Sequence, residues 1–192
     1  MRTRLKTKDS ATARINAKNY PLDGILVRGR YQVVCRSAGG VIKWVEDCHN
    51  LVTNEGIDYV MRASLLGSGT ETQIGTWYVG LVSSTPTIAA ADTMSSHAGW
   101  TEVHTQYSQA NRVTWTGADT GVGTVSNSAS VAVFSITGSV TVGGCFLTSN
   151  NTKNGTTGKL FSAVAFSGGN RAVVNTDSLE VTYNFSTADD GV

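Results

Sequence analysis

The residues able to do acid–base, nucleophilic or metal chemistry are few and scattered along the chain. Its 192 residues include three cysteines and three histidines: Cys35, Cys48, Cys145, His49, His97 and His104. His97 and His104 are seven residues apart, which is neither the i, i+4 spacing of a helical metal site nor a strand pair with a carboxylate partner. The cysteines are odd in number and lack CxxC spacing, so we expect free, buried thiols rather than disulfides or a zinc site.

No longer motif supplies a nucleophile or a phosphate site. The sequence contains no GxSxG motif for an activated serine. The segment GTTGK at 155–159 is similar to a phosphate-binding loop, but its spacing is wrong and Leu160 stands where Ser or Thr would bind magnesium. We predict a hairpin loop there. The sequence therefore predicts no catalytic residues, no metal ligands and no cofactor, and a protein that is not an enzyme.

Four tryptophans offer a different chemistry, the stacking of a sugar ring or of a partner's side chain. Trp77 and Trp115 lie in apolar alternation and are predicted to be core residues. Trp44 is predicted to be a core or interface aromatic. Trp100 adjoins residues 83–99, a stretch without periodicity that we predict to be a long exposed loop. Trp100 is therefore the tryptophan that we expect to contact a partner.

The charges are divided between a basic N-terminal segment and an acidic remainder. Residues 1–30 contain two aspartates and eight basic residues: Arg2, Arg4, Lys6, Lys8, Arg14, Lys18, Arg28 and Arg30. The segment carries +6, so with a formal net charge of +1 the rest of the chain carries −5. Because apolar residues are too few and too scattered here to build a core, we predict an extended basic N-terminal arm over residues 1–30.

The eight basic residues of this arm are the predicted partner-binding residues. The arm is either a solvated tail or a segment that becomes ordered on an acidic or strand-edge partner surface. Its charge would suit phosphates, but no aromatic residues are interleaved for base stacking, so nucleic acid is not the expected partner. No apolar run reaches the roughly 18 residues of a membrane span, so no membrane partner is expected.

One helix signal stands out, in residues 50–82. Ile57, Val60, Met61 and Leu65 fall on one face at helical spacing, and a capping residue at position 53 or 54 precedes them. We predict a helix over about residues 54–66. Its apolar face is expected to pack against the sheet, on a strand at 77–82.

The remaining sequence predicts strands. A hairpin is expected at 31–47, around a glycine-containing turn at 37–40, and further strands are expected between residues 76 and 186. Near the C-terminus, Leu179, Val181, Tyr183 and Phe185 alternate with polar residues as in a half-buried strand. About nine or ten strands separated by turns predict an all-β fold, a β-sandwich or jelly-roll-like domain over residues 31–192.

Six short motifs lie between about residues 31 and 186. They are NLVTNEG at 50–56, WYVGL at 77–81, SHAGWTE at 96–102, VSNSAS at 125–130, GGCFLTS at 143–149 and NTDSLEVTY at 175–183. Together with the predicted helix, they resemble a group of small virion structural proteins of tailed bacteriophages, above all capsid decoration, or cement, proteins. The motifs are structural, so no functional residue is carried over from the group, and the arm is not covered.

The resemblance implies a non-enzymatic protein that binds the outer surface of the shell of major capsid protein and stabilises it. It also implies a homo-oligomer, most simply a homotrimer, made in the host cytoplasm and located on the capsid surface of the virion. The alternative is a tail-associated virion protein (fibre base, adaptor or receptor-binding module) with loops 83–99 and 150–158 turned to the host. A third class is a lectin-like module that binds carbohydrate through Trp100.

Overall fold

The computed structural model describes residues 25–66, 71–121 and 123–189. This part of the chain contains thirteen strands and one helix. In chain order they are β1 (Ile25–Arg36), β2 (Ile42–His49), β3 (Leu51–Val52), α1 (Asn54–Leu65), β4 (Trp77–Ser83), β5 (Glu102–Val103), β6 (Val113–Trp115), β7 (Ala118–Gly121), β8 (Thr124–Ser126), β9 (Ala132–Ser135), β10 (Val140–Thr148), β11 (Leu160–Ala165), β12 (Arg171–Val173) and β13 (Ser178–Asp189).

The strands form two antiparallel sheets. The first sheet has the order β2-β1-β13-β8-β7, with β9 also paired to β13. The second has the order β3-β11-β10-β4-β5, with β12 paired to β10 and β6 paired to β4. Strand residues account for 49% of the residues that the structure describes, and the helix is short. The prediction of an all-β sandwich with one short helix is therefore confirmed.

Alternation builds the first sheet. On β13 the residues Leu179, Val181 and Tyr183 are fully buried, while the polar residues between them are only partly covered. Opposite them on β1, Tyr31 pairs with Tyr183 and Cys35 pairs with Leu179, so both strands present the same apolar face to the second sheet. This period-2 pattern is what a sheet with one solvated face requires, and it confirms the predicted half-buried strand.

The second sheet is covered on both faces. Residues of β4, β10 and β11 that face the first sheet join the main core. A smaller cluster lies on the opposite face: Val82, Met94, Trp100, Phe146, Leu160 and Ala163. Strands buried on both sides show continuous apolar runs rather than alternation, and β10 is buried throughout its last seven residues. All three cysteines, Cys35, Cys48 and Cys145, are free and buried, as predicted.

The first hairpin confirms the turn at 37–40 but shifts a predicted domain boundary. β1 and β2 pair in antiparallel register from Arg30–His49 to Arg36–Ile42. On its other side, β1 pairs with β13 from Ile25 onward. Residues 25–30 therefore belong to the sandwich, although the sequence analysis assigns them to the arm. The rest of the predicted arm, residues 1–24, lies outside the described residues.

The helix begins where it is predicted to begin, but its packing is different. Thr53 caps α1 by accepting a hydrogen bond from the Gly56 N–H at 3.0 Å. The buried residues of α1 are Gly56 and Tyr59, and α1 packs on β11. Ile57, Met61 and Leu65 are 42%, 45% and 71% exposed. The expectation that this apolar face packs against the sheet is therefore wrong for these three residues, whereas the fourth, Val60, packs against the main core.

A buried carboxylate ties the first hairpin to the turn before β13. Asp177 is 3% exposed and accepts hydrogen bonds from the Val174 N–H at 3.0 Å and from the Lys43 ammonium group. Burial opposes its ionisation, but these donors outweigh that effect and hold the pKa of Asp177 below its usual value. Burial and the neighbouring Asp177 carboxylate raise the pKa of the Cys35 thiol to about 11.

This geometry predicts an acid-dependent loss of stability. Because the folded-state pKa of Asp177 is depressed, its contribution is complete above the unfolded-state pKa of about 3.9 and is lost as the pH falls through the folded-state value. We expect Asp177→Asn to lower the free energy of unfolding at pH 7 and to lose less stability than the parent between pH 5 and pH 2. Urea unfolding across this range measures both effects. Asp58→Asn, at an exposed carboxylate, is the control; an acid profile unchanged by Asp177→Asn contradicts the assignment.

Candidate interaction surface

The histidines and cysteines do not converge on one metal site. Within the described part of the chain, no group of three or more His, Cys, Asp or Glu side chains is placed to hold a metal ion. His97 and His104 each direct Nδ1 at a backbone carbonyl, that of Trp100 and that of Glu102, both at 3.1 Å. The helix of the described residues is too short and too polar to cross a membrane.

Trp100 is not on the surface. Its side chain is 5% exposed and packs on Phe146, with ring centroids 5.1 Å apart. Its Nε1–H donates to Asp92 at 2.9 Å, and the His97 ring stacks on its other face at 3.9 Å. The prediction that Trp100 contacts a partner is therefore corrected: the indole fills the second core cluster, because the second sheet needs apolar cover on its outer face.

The connection from β4 to β5, residues 84–101, is built to provide that cover. Met94 is 1% exposed and lies in the same cluster as Trp100. Backbone hydrogen bonds fasten the connection: Thr87 N–H donates to Gly99 O at 2.9 Å across its base, and Asn54 N–H donates to Ala90 O at 2.8 Å near its middle. The expectation of a long loop at 83–99 is confirmed from residue 84 onward, and most of its side chains are exposed, but Asp92 and Met94 are buried.

The hairpin loop between β10 and β11 is also held down. The two strands pair antiparallel, which confirms the hairpin predicted around residues 155–159. Arg112 is buried and donates to the backbone carbonyls of Asn150 and Gly155, each at 2.9 Å. The guanidinium also forms a two-pronged ion pair with Glu102, at 2.9 and 2.7 Å. Glu102 in turn accepts from the Asn154 N–H at 2.7 Å, so one buried ion pair fixes the loop.

Two of the eight basic residues predicted to bind a partner lie within the described range. Arg28 and Arg30 are exposed on the outer face of β1, where they border a shallow depression beside His49. Arg30 forms an ion pair with Asp47 of β2. Within the described residues, no carboxylate pairs with Arg28. The other six, Arg2, Arg4, Lys6, Lys8, Arg14 and Lys18, lie outside the described residues.

An apolar groove between α1 and the start of β1 is a surface that the sequence analysis misses. Its volume is about 440 Å³. Six apolar side chains line it: Ile25, Val27, Ile57, Val60, Met61 and Leu65. The apolar stripe of α1 is the signal for this surface. Reading that stripe as core assumes that the chain covers it, and only the three-dimensional structure shows that the described residues leave it open.

A smaller apolar cavity adjoins the groove and extends under the helix. It measures about 160 Å³ and is lined by aromatic rings from both sheets, among them Trp77, Trp115 and Tyr183. Val60 borders both the cavity and the groove. Trp77 and Trp115 are partly buried against the main core, in agreement with their prediction as core residues.

Comparison with known proteins does not identify the chain. No protein-family model matches it, and no curated protein matches it.

Proposed function

We propose that this protein is a structural component of a bacteriophage particle that binds the outside of the major capsid protein shell and stabilises it. The observation that carries the proposal is the division of charge, with six basic residues in residues 1–24 ahead of an acidic body. The resemblance of the six motifs to capsid decoration proteins supplies the class of partner. A sandwich whose long connections are fastened by buried side chains suits a permanent structural part.

The proposed mechanism divides the work between the two parts of the chain. The β-sandwich forms a homotrimer over a junction between capsomers and acts as a rigid platform. The basic N-terminal arm, together with Arg28, Arg30 and the β1–β2 hairpin, reaches across acidic surfaces of neighbouring capsid subunits. Charge complementarity of this kind steers association and fixes register, and many copies on one shell add avidity.

Neutralising the arm tests this function. We expect a full-length variant with all six arm charges replaced (Arg2, Arg4, Lys6, Lys8, Arg14 and Lys18 to Gln) to fold normally and to bind undecorated capsids at least about tenfold more weakly. Binding of the parent should weaken with added salt, because exposed charges are screened over a Debye length of about 8 Å at physiological ionic strength. Co-sedimentation with capsids measures both effects.

A control and a count complete the test. Replacing Lys159 and Arg62 by Gln removes basic charge from the body and should leave capsid binding unchanged. Undiminished, salt-independent binding by the arm variant contradicts the proposal. Copy number separates it from a tail-associated protein, because a decoration protein occurs in hundreds of copies per particle and a tail component in the roughly six to eighteen of closed rings.

A further inference from the structure

The groove beside α1 is unusual because it exposes several large apolar side chains next to each other. Ile25 is 68% exposed and Leu65 is 71% exposed, and Ile57 and Met61 lie between them. Single exposed apolar residues are ordinary on a protein surface, but a contiguous apolar patch marks a contact surface. The groove is concave and bounded by a helix and a strand, a shape that suits an extended or irregular segment carrying a few apolar side chains.

The path of the chain indicates which segment is within reach. Ile25 is both the first residue of β1 and part of the groove wall. The 24 residues before it are therefore tethered at the groove itself. At no more than about 3.6 Å per residue, Leu22 lies within about 11 Å of Ile25 and Ile15 within about 36 Å. Tethering at this range gives an effective concentration in the millimolar range.

The sequence before Ile25 has the chemistry for this contact. Residues 15–22 read INAKNYPL and hold three large apolar residues, Ile15, Tyr20 and Leu22. The next residues complete the turn-favouring run PLDG at 21–24, in which Pro presets φ and Asp and Gly accept turn conformations. The segment therefore combines the apolar side chains that such a groove accommodates with a turn-favouring sequence next to it.

Charge favours the same pairing. Residues 1–24 carry +4, so the remaining 168 residues carry −3 of the formal net charge of +1. A basic segment is thus attracted to the body to which it is attached. A second copy of the chain would need a different basis for binding, since a stable dimer interface buries about 800 Å² on each partner, whereas a tethered segment needs only the groove.

We propose that residues 15–22 pack their apolar side chains into the groove formed by Ile25, Val27, Ile57, Val60, Met61 and Leu65 of the same polypeptide. This contact anchors the inner part of the arm on the sandwich. The outer part, with the basic residues at positions 2 to 14, extends from that anchor. The inference concerns the isolated protein and does not depend on the capsid as the partner.

Hydrogen exchange on the full-length protein tests the contact. A variant with Ile15→Gln, Tyr20→Ser and Leu22→Gln removes the apolar side chains and keeps every charge. We expect amides of residues 57–65 to exchange at least about tenfold faster in this variant, because packing on α1 limits its local opening. We also expect the melting temperature to fall by roughly 3 °C or more, the range for about 1 kcal/mol in a chain of this size.

Matched variants separate the possible occupants of the groove. Arg2→Gln with Arg4→Gln removes arm charge only and should leave both exchange and melting temperature unchanged. Met61→Gln should reproduce the loss of protection and add little to the triple variant, whereas Val41→Gln, at an exposed apolar residue outside the groove, should have no effect. Unchanged exchange in the triple variant overturns the proposal.

Sedimentation of the parent protein distinguishes a second copy from the tethered segment. Protection of residues 57–65 that rises with protein concentration, together with a dimer that Met61→Gln dissociates, overturns the proposal in favour of a second copy. Concentration-independent protection supports it. Because the charges remain in the triple variant and the apolar residues remain in the arm-neutralised variant, failure of this contact and failure of capsid binding are separate results.

Discussion

Arg112→Met lowers the free energy of unfolding by about 3–5 kcal/mol, the cost of leaving one member of a buried ion pair without its partner. The Arg112 side chain is fully buried and the Glu102 side chain is 4% exposed. Methionine keeps most of the contact with the Phe146 ring, over which the guanidinium lies at 5.2 Å. It leaves the Glu102 carboxylate desolvated and the carbonyls of Asn150 and Gly155 without their donor. Urea unfolding at pH 7 measures the loss.

A second ion pair provides the control for Arg112→Met. Arg36 pairs with Glu180 at 2.8 Å, but both side chains are about one-third exposed, and exposed pairs contribute at most about 1 kcal/mol. We therefore expect Arg36→Met to cost less than 1 kcal/mol. Combining Arg112→Met with Glu102→Leu should be less destabilising than Arg112→Met alone, since it removes the stranded charge. A loss below 1 kcal/mol for Arg112→Met would contradict this account of the buried pair.

Arg112→Met should also loosen loop 150–158, in addition to lowering the global stability of the protein. The Arg112 guanidinium and backbone N–H together hold three of its residues, Asn150, Asn151 and Gly155. The polar composition of this loop is that of an ordinary exposed loop, and in a tail-associated protein it would be a surface turned to the host. Nothing in the local sequence indicates an arginine 38 positions earlier in the chain as its support.

Predictability follows the range of the interactions involved. Alternation along β13 and the turn between β1 and β2 are local signals, and both predict the observed structure. The Thr53 cap is likewise local, because the hydrogen bond joins residues that are three positions apart. The prediction that Trp100 contacts a partner is wrong for the opposite reason. Burial of its indole depends on contacts with Asp92, His97 and Phe146 that the local sequence does not specify. Two of these contacts lie within eight residues, but the third crosses from the second sheet.

Helix α1 also shows that a local pattern does not predict long-range contacts. A stripe of apolar residues at helical spacing predicts a helix and an apolar face, and the helix is present. The pattern does not identify what lies against that face. In this fold α1 meets β11 at Gly56, which lies against the Phe161 backbone, because a glycine lets the two backbones approach more closely than any apolar side chain would. Tyr59 packs on Trp77 of β4. The stripe is thereby turned to the groove, which sequence periodicity cannot distinguish from a core.

Gly56→Ala tests this close approach, and we expect it to destabilise the protein by about 1–3 kcal/mol, the usual cost of overpacking a well-packed site. A Cβ atom at position 56 would lie 2.2 Å from the backbone oxygen of Phe161. That oxygen belongs to β11 and cannot rotate away, so α1 must move off the strand. This change in the free energy of unfolding is opposite in sign to the change at an ordinary helical site, where Gly→Ala stabilises the protein by about 1 kcal/mol.

Gly75→Ala is the matched control for Gly56→Ala, because a Cβ atom at position 75 meets nothing within 4 Å. We expect it to be neutral or to stabilise by up to about 1 kcal/mol through the unfolded chain. The Tyr59 hydroxyl accepts the Ile74 N–H at 2.8 Å, so displacement of α1 by Gly56→Ala should also raise the hydrogen-exchange rate of that amide. Stabilisation by Gly56→Ala, as at an exposed helical site, would contradict the close approach of α1 to β11 at this glycine. The groove that depends on this packing would then not be formed as described.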